Sequence, residues 1–324
     1  MRYNLNGKMT TRNEALHMVQ QLNQFIQRWM PILTPLSLVI GVLLEGIGGH
    51  LLFLVPILFA CMTFISSLSL KFHDIKVFKE YPKTILFVIA FLHILMPLWA
   101  YFLAEIIFDD RLLTIGFILS VAVPTGVTSV IWVTLSKGNL PLCLAIILID
   151  TLLAPLLMPM TIHLVVGETI KFATTSLIVD LIWMIVLPSV LGMVMNEWMK
   201  GKVDEQYGKQ LSLVSKLCLF SIIMINSSAI APYVKNINAE LAGVIGLVLF
   251  LAVSGYLFSY ILSRLFWKSS ADQATFIFNG GMRNIAVGVV IATTYFPSKV
   301  AMPVVFGMLF QQVLASLFFK ITRM

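Results

Sequence analysis

Arg283 is the only charged residue between Asp272 and Lys299, and Asp150 is the only Asp, Glu, Lys or Arg between Lys137 and Glu168. A guanidinium carries five N–H donors and keeps its charge throughout the working pH range. It can therefore grip a carboxylate in a bidentate fork or satisfy several carbonyl oxygens at once. A carboxyl in an apolar run either pairs with a cation or carries a proton whose occupancy follows its surroundings. Three readings of Arg283 follow: a tethered cation bonding unpaired backbone carbonyls, a clamp on an anionic substrate, or a structural ion pair with Asp150 or another acid. His93, four residues before Pro97, is either a titrating or donating group or a satisfied core residue. Asp180 reads as structural, and His163, near the end of an apolar run, as water-facing. The chain has no His-Glu-x-x-His, no Gly-x-Ser-x-Gly and no phosphate-binding glycine loop followed by lysine, so no enzyme, cofactor or metal is expected. Cys61, Cys143 and Cys218 lie far apart in apolar runs and read as small core residues.

The elements that must position these groups follow from composition. Of 324 residues 59% are apolar and 11% charged, with mean hydropathy +0.95. A soluble fold carries about 25% charged residues, so this chain lacks the polar surface to face water. Soluble enzymes and nucleic-acid binders are thereby excluded. A membrane-crossing helix needs roughly 20 mainly apolar residues. Ten segments qualify, at about 29–47, 49–70, 84–108, 112–135, 140–166, 172–198, 211–231, 241–263, 272–296 and 299–319. Segment 1–28 shows no cleavable signal pattern. Thr11-Arg12-Asn13-Glu14 has capping-box spacing, with Ala15, Met18, Val19, Leu22, Phe25 and Ile26 following at helical intervals. It reads as an amphipathic helix on the membrane surface or a solvated one. With both termini inside, 17 of the 22 Lys and Arg fall at cytoplasmic positions and four in outer loops, leaving Arg283 in the membrane. The expectation is a multi-pass protein of the cell (inner or plasma) membrane with both ends cytoplasmic. Trp29, Trp198 and Trp267 at span ends read as interface anchors.

Ten spans divide into two sets of five. The fourth contains Val123-Pro124-Thr125-Gly126 and the ninth Asn279-Gly280-Gly281-Met282-Arg283-Asn284, helix-breaking clusters halfway along apolar runs. A shift of 157 residues carries Pro124 onto Gly281 and Pro31 onto Pro188. An odd five-span repeat inserts upside down, so the expected fold is an all-α membrane protein of two inverted five-helix repeats, with helices 4 and 9 broken and crossing. At a break, one half-helix ends in unpaired carbonyls and the next begins with unpaired N–H groups. Such a crossing offers donors to an anion and acceptors to a cation. Thr125, Thr128 and Ser129 at one break, and Met282 and Asn284 at the other, are placed either to satisfy unwound backbone or to touch substrate.

These breaks resemble the bile acid:sodium symporter family, in its bacterial branch. The resemblance runs from about Trp29 to the C-terminus and includes Leu70-Lys71-Phe72-His73-Asp74 through Tyr81-Pro82-Lys83. It implies a core domain (spans 3, 4, 5, 8, 9 and 10; about 84–166 and 241–319) and a panel domain (spans 1, 2, 6 and 7; about 29–70 and 172–231). An organic-anion cavity would lie between them, with 320–324 as a short tail. The family's ninth-span motif begins with glutamate and carries glutamine before its asparagine, both sodium ligands. Here those positions hold Asn279 and Arg283. Its fourth-span serine and asparagine are Ser129 and Val130, and its fifth-span hydroxyls are Cys143 and Ile147. Sodium takes hard oxygen ligands, which a valine, an isoleucine and a thiol do not offer. The expected function is secondary transport of a small organic anion by alternation of core against panel, independent of sodium, with a proton as the candidate coupling ion. Candidate substrate-binding residues are His93, Thr125, Thr128, Ser129, Asn279, Met282, Arg283 and Asn284. Asp150 and Arg283 are the candidates for coupling. A sodium-coupled organic anion symporter and a non-transporting membrane receptor or facilitator are the alternatives.

Overall fold

A computed structural model describes residues 5–166, 174–235 and 238–322, and every regular element among them is helical. The first helix, α1 (Leu5–Leu43), bends by 79° between Met30 and Ile32, where the sequence places a proline. Because α1 already runs from Leu5, Thr11 and Glu14 lie inside it and cap no helix start, which corrects the expected boundary. Gln20 and Asn23 accept hydrogen bonds from Lys209 and Lys216, while Met18, Leu22 and Phe25 stay exposed. Next come α2 (Glu45–Ser67), a surface segment with a 3-10 turn at Phe72–Lys76, and α3 (Pro82–Ile107). The fourth expected span is two helices, α4 (Arg111–Ala122) and α5 (Ser129–Leu135), followed by α6 (Leu140–Val166), α7 (Thr174–Trp198), α8 (Lys202–Val234) and α9 (Ala239–Phe266). The ninth is likewise split into α10 (Ser270–Gly281) and α11 (Ile285–Tyr295), and α12 (Ser298–Thr322) extends into the expected tail. Arg2, Lys171 and Arg323, which entered the charge count, lie outside the described residues.

Among the described residues seven helices are long and apolar enough to cross a membrane, and the bent α1 would make eight. Helices α4 and α11 are apolar but too short to cross alone. Many large apolar side chains on the long helices are exposed, Leu164 at 71% and Phe53 at 68% among them, as a lipid-facing surface requires. Cys61 is one of these exposed groups, which corrects its reading as a core residue.

Among the described residues two helices contain a π turn, and in each a proline accounts for it. Pro97 follows the turn Phe91–Leu95 of α3, and Pro188 follows Ile182–Val186 of α7. Proline removes the N–H that would bond the carbonyl four residues earlier and crowds it, so the helix widens before it. In α3 the carbonyl released is that of His93, and the Thr161 hydroxyl of α6 donates to it at 3.1 Å.

At one end of the bundle Asp110 caps α4, accepting from Leu112 N–H at 2.8 Å and Leu113 N–H at 3.1 Å. Lys299 of α12 donates to Asp110 at 2.7 Å and also pairs with Glu240 of α9. Partial burial pushes the Asp110 carboxyl up, but the Lys299 bond and the capping N–H groups outweigh it and hold the group below the ordinary carboxylate value. A carboxylate depressed by folding stabilises above its unfolded value, and that stability is lost as pH falls through the folded value. Lys299→Met should therefore move the acid-unfolding midpoint to higher pH, measured by circular dichroism. An unchanged midpoint would show that the cluster contributes nothing.

Candidate functional site

The two breaks meet as a pair of short extended strands. Thr125 and Arg283 form an antiparallel bridge, Gly126 N–H donates to the Met282 carbonyl at 3.1 Å, and Asn284 N–H donates to the Pro124 carbonyl at 2.7 Å. A Cβ at position 126 would lie 2.9 Å from the Arg283 carbonyl oxygen, so the approach requires glycine. Gly281 makes similar room, since a Cβ there would come within 2.3 Å of the Tyr256 ring.

Following each backbone group through the crossing shows why an arginine sits there. Had α4 continued, the Val121 carbonyl would bond Thr125 N–H, but that N–H donates to Asp150 Oδ2 at 2.7 Å. Had α10 continued, the Gly280 carbonyl would bond Asn284 N–H, but that group is taken by Pro124. Both orphaned carbonyls are bonded by one side chain: Arg283 Nε donates to Val121 O at 2.9 Å and Nη1 to Gly280 O at 2.7 Å. Each acceptor lies in the last turn of its half-helix, at the negative end of the helix dipole. Arg283 is 6% exposed, and its own N–H donates to Gln311 Oε1 of α12 at 3.0 Å.

Asp150 does not pair with Arg283 directly, which corrects the ion-pair reading. One carboxylate oxygen is occupied by Thr125 N–H, and the other lies 2.6 Å from His93 Nε2. The π turn of α3 presents His93 to α6, and both side chains are buried. Sequence reasoning flagged each residue but not their partnership.

Asn279 is enclosed by hydrogen bonds. Its Oδ1 accepts from Ser129 Oγ at 2.8 Å and from Cys143 Sγ at 3.2 Å, and its Nδ2 donates to the Cys143 carbonyl at 3.4 Å. Thr125 Oγ1 donates to the Asn279 carbonyl at 3.4 Å. Among the described residues no group of three or more His, Cys, Asp or Glu could hold a metal ion. Of the candidate substrate contacts, His93, Thr125, Ser129, Asn279, Met282 and Arg283 are all buried. Thr128 and Asn284 are only half-buried, stand at the N-terminal ends of α5 and α11, and cap those helices with no side-chain hydrogen bond.

Gln311 and Tyr256 belong to the site and were not anticipated. Tyr256 Oη donates to the Gln311 carbonyl at 3.4 Å, and both line a cavity of about 40 Å³ beside the guanidinium, with Met96, Ser120 and Gly281. The visible signal was the Gln311-Gln312 pair in the middle of an apolar run. Asn139 sets the register of the second break by donating to Asp272 at 2.8 Å and, through its N–H, to Thr275 at 2.9 Å. Elsewhere, Tyr295 of α11 donates to Asp180 of α7, and Thr293 of α11 donates to Asn226 of α8 at 3.3 Å.

The model of the SBF-like CPA transporter family matches residues 29–318. The uncharacterized protein YbaS of Bacillus subtilis (strain 168) is 43% identical over 290 residues, covering 89% of this chain and 95% of YbaS. The uncharacterized sodium-dependent transporter YocS of the same strain is 24% identical over 249 residues, 77% of this chain and 76% of YocS. A probable sodium/metabolite cotransporter, the chloroplastic BASS1 of Oryza sativa subsp. japonica, is 26% identical over 233 residues, 71% of this chain and 55% of BASS1. These relatives are transporters by name where their names state a function, and none is named as an enzyme. This multi-pass membrane chain therefore belongs to the SBF-like CPA transporter family, and through it to the bile acid:sodium symporters that its paired breaks resemble.

Proposed function

We propose that this transporter carries a small organic anion without sodium, and that Arg283 is a built-in cation doing at the crossing what a bound sodium ion does in the family its breaks resemble. The observation that carries the reading is the pair of hydrogen bonds that Arg283 donates to the Val121 and Gly280 carbonyls. A cation placed between two helix C-termini compensates both dipoles and both orphaned acceptors. The oxygens of the Asn279 network are already hydrogen-bonded to one another, and Val130 and Ile147 at two further ligand positions offer sodium none.

In this reading α4 with α5 and α10 with α11 each make one broken span, giving ten spans in two inverted repeats with cytoplasmic termini. The core (about 84–166 and 241–319) moves against the panel (about 29–70 and 172–231), and the Tyr295–Asp180 and Thr293–Asn226 bonds are contacts between them. Thr128 and Asn284, both half-buried, are the groups open to a carboxylate. The cavity beside Arg283, about 40 Å³, is too small for an organic anion, which favours the tethered cation over the substrate clamp.

The test is uptake of a pool of radiolabelled short-chain carboxylates into proteoliposomes, with external sodium replaced by choline at fixed pH. The initial rate should be unchanged. A fall of roughly tenfold or more, within the range that losing a coupled ligand produces, would overturn the proposal. Binding of the same carboxylates without exchange would favour the receptor alternative.

A further inference from the structure

Among the described residues Asp150 and Arg283 are the only buried side chains that carry a full charge, and His93 is the only buried histidine. Asp150 is fully inaccessible, and its two oxygens are committed to His93 Nε2 and Thr125 N–H. With Nε2–H donating to the carboxylate, the neutral imidazole leaves Nδ1 as a bare lone pair. Nδ1 is buried and has no hydrogen-bond partner.

From this we infer that the His93–Asp150 pair is the proton-binding site of the transport cycle, taking one proton at His93 Nδ1 for each organic monoanion carried. The inference rests on the sodium-free reading above and supplies its coupling ion. The charges of the buried centre give the stoichiometry. With the imidazole neutral, as an Nε2–H bond to the carboxylate allows, the charges of Arg283 and Asp150 cancel and the unloaded core is electroneutral. A monoanion alone would make it −1, and a proton alone would make it +1. Either would have to move through the membrane as a net charge, which the low dielectric opposes. Proton and monoanion together restore neutrality, so the core changes sides readily when empty or when carrying both. The pair is joined to the crossing because the Asp150 oxygen opposite His93 holds Thr125 N–H, the residue bridged to Arg283.

The other ionisable groups on elements around the pair are engaged elsewhere or lie at the surface. Arg283, from the second break, is bonded to the Val121 and Gly280 carbonyls, and Tyr256 of α9 lines the same cavity as Arg283. Cys143 of α6 is bonded to Asn279, Asp272 of α10 to Asn139 and Asp180 of α7 to Tyr295, and Glu105 of α3 accepts from Thr114. His73, Asp74, Lys76, Lys79 and Glu80 lie on the partly exposed segment 72–80 between α2 and α3, and Lys83 is exposed in the first turn of α3.

The test requires no substrate. Protein labelled with 15N-histidine in lipid nanodiscs is titrated, and the His93 ring nitrogens are assigned by their loss in His93→Gln. Their shifts should report uptake of one proton at Nδ1 while Nε2 keeps its proton, in choline and in sodium alike. Asp150→Asn should weaken that uptake by roughly tenfold or more, because it removes the anionic partner. Asp150→Glu, which keeps the charge, should preserve uptake at Nδ1 and covers failure of the Asn variant to fold. A His93 ring that never changes state while the protein stays folded would overturn the proposal, as would uptake indifferent to Asp150→Asn. Sodium dependence of the uptake would instead contradict the sodium-free reading, so the two failures are distinguishable.

Discussion

Arg283→Gln should destabilise the protein by about 3 to 5 kcal/mol, the cost of leaving two buried carbonyls short of a charged donor at the ends of two helices. Glutamine has one amide where arginine has five donors, and it is neutral, so it cannot bond Val121 and Gly280 together or offset their dipoles. It also leaves Asp150 as a buried carboxylate without its compensating cation. Arg283→Lys should recover part of the loss, because an ammonium restores the charge but cannot reach both carbonyls with the same geometry. Thermal unfolding in detergent reads the order wild type, Lys, Gln. A Gln variant as stable as wild type would remove the tethered cation, because no other donor for those carbonyls is present among the described residues.

Asp150→Asn should cost about 3 to 5 kcal/mol as well, by a different route. The amide is neutral and keeps one acceptor oxygen, so it cannot take Thr125 N–H and His93 Nε2–H on separate oxygens as the carboxylate does. It also strands Arg283 as an uncompensated buried cation. Combining Arg283→Gln with Asp150→Asn should therefore cost less than the sum of the single changes, since each removes the charge that makes the other harmful. Additive losses, measured by the same unfolding experiment, would mean that the two residues act independently.

The sequence exposed the breaks because helix-disrupting residues interrupt apolar runs, a local signal read without any tertiary contact. Arg283 was legible for the same reason, since a lone charge in such a run needs a purpose. The partner of Asp150 was not legible. His93 lies 57 residues away, and its approach depends on a π turn whose cause, Pro97, gives no hint of which neighbour it faces. Arg283 looked like the natural counter-ion because opposite charges invite pairing, yet backbone N–H and imidazole had already filled both carboxylate oxygens. Asn279 read as a lost sodium ligand, but its enclosure by Ser129 and Cys143 depends on three separate helices. The helix start at Thr11 failed because a local capping pattern is overridden where helix continues through it. Cys61 turned outward because in lipid the exposed face of a helix is apolar too, so hydrophobicity does not separate inside from outside.

The most direct measurement of the central claim, that a fixed cation occupies the role of sodium, is thermal unfolding in choline against sodium for wild type and for Arg283→Gln combined with Asn279→Glu and Val130→Asn. The combined variant removes the tethered charge and returns oxygen ligands to the crossing. Wild type should unfold at the same temperature in both salts, while the combined variant should unfold at a higher temperature in sodium than in choline. A sodium-dependent rise in the wild-type unfolding temperature would contradict the account.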